Sequence, residues 1–177
     1  MKYLLMCEGP NEACILNMLI QNNLLTIDIE DILGSQAYHA RNLKNQAVVR
    51  EILRYHQQLT IYRIGDKQND ELKIPKNLEE YISHDRIFKY CTKPELEMLL
   101  IINEGLVNKF KKSKLSPKDY AKSNIKFNKK LYNNSTIFWS NYYEGRLDYL
   151  IDNIKEYKRI HNNKRKELYL SDLIKDV

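Results

Sequence analysis

Residues 1–20, MKYLLMCEGPNEACILNMLI, contain the change from a strand pattern to a helix pattern that sets the fold. Residues 2–7 form an apolar run of strand length, and residues 11–25 place apolar side chains at the spacing of one helix face. Pro10 suits the first turn of a helix, because the N–H that proline lacks would have no partner there. The stretch therefore predicts a strand, a tight turn and a helix.

Strands and helices continue to alternate beyond this opening. We predict strands over 31–40, 59–66 and 86–91, and helices over 45–59 and 77–83. A longer helix is predicted over 92–110, with Thr92 as its cap, Glu95 returning the capping bond and Pro94 in its first turn. Such alternation predicts an α/β fold with a mainly parallel sheet flanked by helices.

Charge divides the chain into two parts. Residues 1–90 hold 11 Lys and Arg against 12 Asp and Glu, whereas residues 91–177 hold 18 against 11. The segment 108–130 contains nine lysines and a single acid, and a helix is predicted over about 146–160, before a short closing element. We expect a core over 1–105 and a basic, mostly helical C-terminal extension over 106–177, packed on the same domain.

Apolar runs in the sequence are short. None approaches the roughly 20 residues needed to span a bilayer. Glu8 interrupts the N-terminal run too early for a signal peptide. We expect a cytoplasmic protein without a membrane partner.

Acidic residues cluster where strands are predicted to end. In parallel α/β sheets ligands bind at the carboxyl ends of the strands, and hard cations such as Mg²⁺ take oxygen ligands drawn from several loops. A lone glutamate at a helix start is more often a cap, and we interpret Glu95 in that way. The loop acids after residue 66 fit solvation and metal binding equally well. The clusters are Glu8 with Glu12, Asp66 with Asp70 and Glu71, and Glu95 with Glu97.

A strand ending in CEGPNE, a later strand ending in GD and then KPELEMLL resemble, in this order, the TOPRIM domain of topoisomerases, primases and OLD-family nucleases. The likeness is greatest to small OLD-type proteins, several of which occur in bacterial anti-phage systems. It covers about residues 1–105. Two positions depart from the pattern: Asn11 replaces a Ser or Thr, and Gln68 stands where a second aspartate belongs. The matching positions are Glu8, Gly9, Glu12, Asp66, Asp70, Pro94 and Glu97.

The resemblance implies a TOPRIM fold and metal-dependent hydrolysis of phosphodiester bonds, with two Mg²⁺ or Mn²⁺ ions. Glu8, Asp66 and Glu97 would form the main metal set, and Glu12 and Asp70 would complete a second site or orient water molecules. A lysine from beyond the core would neutralise transition-state charge. SPKDYAKS supplies two candidates for this catalytic role, of which Lys122 is preferred to Lys118.

The lysine-rich segment suits a phosphate backbone. The aromatic residues among the lysines, Phe110, Tyr120, Phe127 and Tyr132, are expected to stack on unpaired bases. Structured RNA such as tRNA fits recognition by shape. A lysine-rich surface that only keeps the protein soluble is the competing interpretation. The lysines expected to bind nucleic acid are Lys111, Lys112, Lys114, Lys118, Lys126 and Lys129.

Two other functions stay open at this point. Gln68 suggests a degenerate metal site, and the chain would then be a nucleic-acid-binding or regulatory partner of an ATPase. The chain has no GxxxxGK[ST] motif, so such an ATPase would be a separate protein. A toxin or effector of an anti-phage system, held inactive by a partner, is the other possibility.

Overall fold

The computed structural model describes residues 1–66, 71–92, 95–161 and 167–175. The first six elements are β1 (Lys2–Cys7), α1 (Pro10–Gln21), β2 (Ile32–His39), α2 (Gln46–Tyr55), β3 (Leu59–Gly65) and β4 (Ile87–Cys91). They are followed by α3 (Met98–Asn103), α4 (Val107–Lys112), α5 (Pro117–Asn124), β5 (Lys126–Phe127), β6 (Lys130–Leu131), α6 (Thr136–Tyr143), α7 (Leu147–His161) and β7 (Leu168–Tyr169). Short 3₁₀ turns lie at Ile29–Asp31, Lys76–Leu78, His84–Arg86 and Leu170–Leu173.

Five strands form one parallel sheet in the order β2-β1-β3-β4-β7. β5 and β6 form a separate antiparallel hairpin. The predicted α/β fold with a parallel sheet flanked by helices is therefore confirmed. Because β1, β3 and β4 are neighbours and parallel, their carboxyl ends meet at one edge of the sheet.

The sheet separates two apolar cores. Side chains of β1 alternate between them: Leu4 and Met6 face one core, and Leu5 and Cys7 face the other. The larger core also contains α1, α3, α5, α6 and α7, and the smaller one contains α2 and the segment 72–82. Burial of each large apolar side chain stabilises the fold by about 1.5–3 kcal/mol.

The C-terminal region shares the larger core with the N-terminal region. Trp139 and Leu150 are fully buried in the same cluster as Leu16 and Leu19 of α1. β7 pairs with β4 and becomes an edge strand of the sheet. No helix within the described ranges is long and apolar enough to cross a membrane.

Two helices end earlier than their apolar spacing predicts. α1 stops at Gln21 instead of continuing to 25, because Asn23 adopts a left-handed φ of 54° and Leu24 N donates back to Leu19 O at 3.0 Å. α2 stops at Tyr55, because His56 adopts φ 52°. His56 is consequently exposed and does not join the apolar face on which it was placed. The predicted helix over 77–83 is a 3₁₀ turn at Lys76–Leu78.

The predicted helix over 92–110 is wrong in its start and its continuity. It divides into α3 and α4 because Gly105 adopts φ 64° and Leu106 N donates back to Ile101 O at 2.9 Å. The proposed capping pair does not form, since Glu95 Oε2 instead accepts the backbone N–H of Lys118. Pro94 lies outside the described residues. Residues 95–97 precede α3 and line a pocket together with Thr92.

Candidate functional site

A pocket of about 260 Å³ lies at the carboxyl ends of β1, β3 and β4. Backbone hydrogen bonds hold this edge together beyond the strands: Glu8 N donates to Ile64 O, and Thr92 N donates to Gly65 O, both at 3.0 Å. Five carboxylates line the pocket against two basic side chains. The carboxylates are Glu8, Glu12, Asp66, Glu95 and Glu97, and the basic residues are Arg41 and Lys118.

Glycine makes room for two of these carboxylates. A Cβ on Gly65 would lie 2.3 Å from Glu8 Cδ, so the Glu8 side chain rests directly over the last residue of β3. A Cβ on Gly9 would lie 2.4 Å from Glu12 Oε2. Only glycine fits at either position without moving a carboxylate, so both residues form part of the site.

Glu12 occupies the first turn of α1, where an acid is favoured by the helix dipole. Burial nevertheless raises the pKa of Glu12 above its ordinary value. The negative charges of Glu97 and Asp66 raise this pKa further, whereas a backbone hydrogen bond and His39 lower it. The three acids, which come from three separate chain segments, therefore share one electrostatic environment.

Glu97 is the most enclosed acid of the pocket, with 5% of its surface exposed. Its Oε1 accepts the hydroxyl hydrogen of Tyr132 at 2.7 Å. The Tyr132 oxygen in turn accepts the indole N–H of Trp139 at 3.2 Å. Burial and the charge of Glu97 together raise the pKa of Tyr132, so its hydroxyl keeps its proton and stays a donor to Glu97.

Lys118 enters the pocket from the first turn of α5, which Ser116 caps by accepting Asp119 N. The Asn134 amide is satisfied when its oxygen faces Lys118 Nζ at 3.1 Å and its nitrogen faces Glu97 Oε1 at 3.3 Å. Asn134 therefore connects the lysine to the most buried acid. Lys122, the preferred lysine, is exposed and does not line the pocket.

Two buried polar atoms in the pocket wall have no hydrogen-bond partner among the described residues. They are Thr92 Oγ1 and Asn11 Oδ1. Thr92 is 3% exposed and Asn11 is 8% exposed. An unsatisfied buried polar group costs about 1–3 kcal/mol. A water molecule or an ion in the pocket would supply the missing partner of such an atom.

The aromatic residues of the lysine-rich segment do not form a stacking surface, which corrects the sequence-based interpretation. Tyr120 and Tyr132 are 6% and 2% exposed and belong to the larger core. Phe110 packs edge-on against Tyr120, and Phe127 packs under the Arg146 guanidinium, 4.9 Å from its ring centre. The alternation of lysine and aromatic residues thus marks elements with one buried face.

The expected nucleic-acid lysines divide into two groups. Lys118 is partly buried in the pocket. The other five are exposed: Lys111, Lys112, Lys114, Lys126 and Lys129. These five remain free to contact a phosphate backbone.

Sequence reasoning missed three contributors to the pocket. Arg41, whose Nε donates to Glu8 O at 2.9 Å, follows the end of β2, so the strand-end rule would have found it. Tyr132 and Asn134 had no such signal, because they lie in a loop far along the chain from β1 and β3. Asp70 and Gln68, which figured in the predicted metal site, lie outside the described residues.

The donor set can be compared with what a metal ion needs. Carboxylate and neutral oxygens suit a hard divalent cation, and the glycine positions leave space for two of the carboxylates. However, within the described ranges no group of three or more His, Cys, Asp or Glu side chains has the spacing that holds a metal ion. The oxygen donors that line the pocket therefore fit the chemistry of a divalent cation.

Comparison with known proteins identifies no matching protein family, no matching curated protein and no matching solved structure.

Proposed function

We propose that the protein is a TOPRIM-like, metal-dependent nuclease that hydrolyses phosphodiester bonds in nucleic acid. The observation that carries this proposal is the convergence of Glu8, Asp66 and Glu97 on one pocket at adjacent strand ends. The raised pKa of Glu12, caused by burial and by Glu97 and Asp66, supports the same proposal because a cation would relieve this repulsion. The motif order along the chain agrees with the TOPRIM pattern.

Each residue has a distinct role in this proposal. Glu8, Asp66 and Glu97 would hold Mg²⁺ or Mn²⁺, and Glu12 would complete a second site with Asp70. When bound, divalent ions supply a water activated for attack and charge neutralisation at the leaving oxygen.

Lys118 replaces Lys122 as the proposed catalytic cation. It lines the pocket, and its Nζ is held by Asn134. There it would stabilise negative charge that develops on the phosphate in the transition state. The ammonium group is already oriented before substrate arrives, so little reorganisation is needed during the reaction.

The exposed lysines supply the substrate contact in the proposal. Lys111, Lys112 and Lys114 lie at or just after the end of α4, and Lys126 and Lys129 belong to the β5–β6 hairpin. Lysines contact the phosphate backbone more than base edges, so selection by shape, as in a structured RNA such as tRNA, follows. A toxin or effector role in anti-phage defence rests on the motif resemblance alone.

The direct test is cleavage of a panel of DNA, messenger-like RNA and tRNA in Mg²⁺ or Mn²⁺. Glu8→Gln keeps the size of the side chain and removes the charge, so it should abolish cleavage. Glu79→Gln makes the same chemical change at an exposed position outside the pocket and should leave cleavage intact. Cleavage that persists in Glu8→Gln, or no cleavage by the native chain, would contradict the proposal.

A second candidate function is a non-catalytic binding or regulatory partner of an ATPase. The observation that favours it is that, among the described residues, no three potential ligand side chains lie close enough together to hold a metal ion. Such a module should show no change of Tm with Mg²⁺ or Mn²⁺. A nuclease should gain stability from the metal by mass action.

A further inference from the structure

A chain of hydrogen bonds runs from the aromatic core to the pocket. Trp139 N–H donates to the Tyr132 oxygen at 3.2 Å, and the Tyr132 hydroxyl donates to Glu97 Oε1 at 2.7 Å. Trp139 is fully buried and Tyr132 is 2% exposed. The chain therefore lies in a water-poor environment, where hydrogen bonds are electrostatically stronger than in water.

The directions of these bonds are fixed by the donors available. An indole N–H can only donate, and a tyrosine hydroxyl has one hydrogen. Trp139 donates to the Tyr132 oxygen, and in the satisfied orientation of Asn134 its amide nitrogen also faces this oxygen, at 3.1 Å, so the hydroxyl hydrogen is left for Glu97. A hydrogen bond to a carboxylate is stronger than one between neutral groups. This arrangement holds one Glu97 oxygen in a defined position.

Asn134 acts on the same carboxylate from the adjacent loop. Its backbone adopts a left-handed φ of 58°, which asparagine tolerates better than most residues. In the orientation that satisfies its amide, the nitrogen faces Glu97 Oε1 at 3.3 Å and the Tyr132 oxygen at 3.1 Å, and the oxygen faces Lys118 Nζ at 3.1 Å. One side chain thus lies between the buried acid and the lysine and contacts both.

We infer that Tyr132 and Asn134 are positioning residues of the site: Tyr132 orients Glu97, and Asn134 holds Glu97 and Lys118 in register. This inference rests on the proposed nuclease function and identifies what prepares its acid and its cation. Both residues act through their contacts with Glu97 and Lys118, Tyr132 from behind the pocket and Asn134 from its lining.

The fold offers a matched control for Tyr132. Tyr143 belongs to the same aromatic cluster, is 1% exposed and stacks on Trp139 with ring centres 6.2 Å apart. Its hydroxyl accepts a hydrogen bond from Asn153 at 3.2 Å, and it does not line the pocket. Tyr143→Phe therefore removes a buried hydroxyl beside the same tryptophan without touching Glu97.

The experiment compares Mn²⁺ binding, by titration calorimetry, in the native chain, Tyr132→Phe and Tyr143→Phe. Loss of a partner that orients a metal ligand typically weakens metal affinity or activity by about 10- to 100-fold. We expect a shift of this size in the Mn²⁺ Kd of Tyr132→Phe and less than about a twofold change in Tyr143→Phe. Both variants should show comparable losses of Tm.

Trp139 provides a second readout, because it is the one tryptophan of the chain. Mg²⁺ binding at Glu97 should change its emission in the native chain and in Tyr143→Phe. The change should disappear in Tyr132→Phe, since the hydrogen-bonded connection is cut there. A purely structural role for Tyr132 would alter Tm without removing this response selectively.

Asn134 is tested with Asn134→Gly, since glycine keeps the left-handed backbone and removes the amide. Asn128→Gly is its control, because Asn128 also has a left-handed φ, of 49°, in the β5–β6 hairpin. Cleavage should fall about 10- to 100-fold in Asn134→Gly and stay at the native rate in Asn128→Gly.

The outcomes separate this inference from the proposed function. Equal Mn²⁺ affinities and emission responses in the native chain and Tyr132→Phe would overturn the positioning role while leaving a metal-binding nuclease. Equal cleavage by Asn134→Gly and Asn128→Gly would overturn the role of Asn134. A native chain that neither binds Mn²⁺ nor cleaves would overturn the proposed function and the inference with it.

Discussion

Two walls of the pocket surround a carboxylate with opposite environments. On the aromatic wall, where Asn134 lines the pocket and Tyr132 and Trp139 lie buried behind it, Glu97 receives a hydroxyl hydrogen bond and a nearby amide. On the turn wall, formed by residues 8–12, burial and like charges raise the pKa of Glu12. The aromatic wall therefore orients Glu97 before any ligand binds. On the turn wall the charged form of Glu12 is disfavoured, and a bound cation would stabilise it.

The largest effect is expected from removing the charge on the aromatic wall. Glu97→Gln keeps an acceptor for Tyr132 but loses the charge, and metal interactions of this kind contribute several kcal/mol. At about 1.36 kcal/mol for each tenfold change in rate, cleavage should fall at least about 100-fold.

Glu104→Gln is the control for this variant. Glu104 also accepts a tyrosine hydroxyl, that of Tyr142, but it does not line the pocket. Cleavage rates of the two variants measured side by side decide the matter. Equal losses of cleavage rate in the two variants would show that Glu97→Gln acts by disturbing the fold.

Lysine substitution tests which lysine side chain, Lys118 or Lys122, takes part in cleavage. Lys118→Met should lower kcat by about 100-fold, as removal of a transition-state donor does elsewhere. Lys122→Met changes an exposed lysine four residues further along the chain in α5 and should leave kcat close to native. The opposite ranking in a single-turnover assay would return the catalytic role to Lys122.

Glycine substitution tests the fit of the turn wall. Gly65→Ala places a Cβ 2.3 Å from Glu8 Cδ, so the carboxylate must move and cleavage should fall. Because the Glu8 side chain is flexible and only partly buried, the cost in stability should not exceed about 1–3 kcal/mol.

Gly145→Ala is the control for the stability change. Gly145 has φ 65° and open space around its Cβ position, so alanine there adds backbone strain of about 1–2 kcal/mol without touching the pocket. Denaturant unfolding and cleavage measured on both variants should show similar stabilities and different activities. If both variants cleave at the same rate, Gly65 is not needed for the position of Glu8.

The smallest effect concerns pH and Glu12. Because the folded state raises the Glu12 pKa above its ordinary value of 4.5, the folded state binds this proton more tightly than the unfolded state. Stability from this group is therefore present at low pH and is lost as the pH rises through the folded pKa. In a chelator, Glu12→Gln should gain stability relative to native across this window.

The check is the Tm of metal-free protein against pH, with Glu79→Gln as the exposed control. The difference between native and Glu12→Gln should grow as the pH rises from below 4.5 towards neutrality. A constant difference would show that Glu12 carries no repulsion on the turn wall. If the Tm difference between native and Glu79→Gln grew by the same amount over this pH range, the effect would be due to net charge.

The turn wall could be predicted from the sequence, whereas the aromatic wall could not. Glu8 follows an apolar strand and Glu12 opens a helix, so local pattern places both at the ligand-binding edge of a parallel sheet. Tyr132 lies 35 positions from Glu97, and no periodicity connects them. Its place among lysines suggested an exposed surface residue, but burial of one face of the hairpin and helices decided otherwise.

The lysine assignment shows a similar limit. Lys118 and Lys122 lie one helical turn apart, so their spacing alone cannot distinguish which of them reaches the pocket. The distinction depends on where α5 begins, which is set by the Ser116 cap and by Glu95 accepting Lys118 N. The same contact explains why the predicted capping pair of Thr92 and Glu95 does not form, because the Glu95 carboxylate binds Lys118 N instead.

The central claim is that the carboxylates of the two walls share a divalent cation. Its most direct test is the equilibrium Mn²⁺ affinity of the native chain and of Glu8→Gln, with Glu79→Gln alongside. The account predicts binding by the native chain and by Glu79→Gln, and a Kd at least about tenfold weaker in Glu8→Gln. Absence of binding by the native chain, or equal affinity in all three proteins, would contradict it.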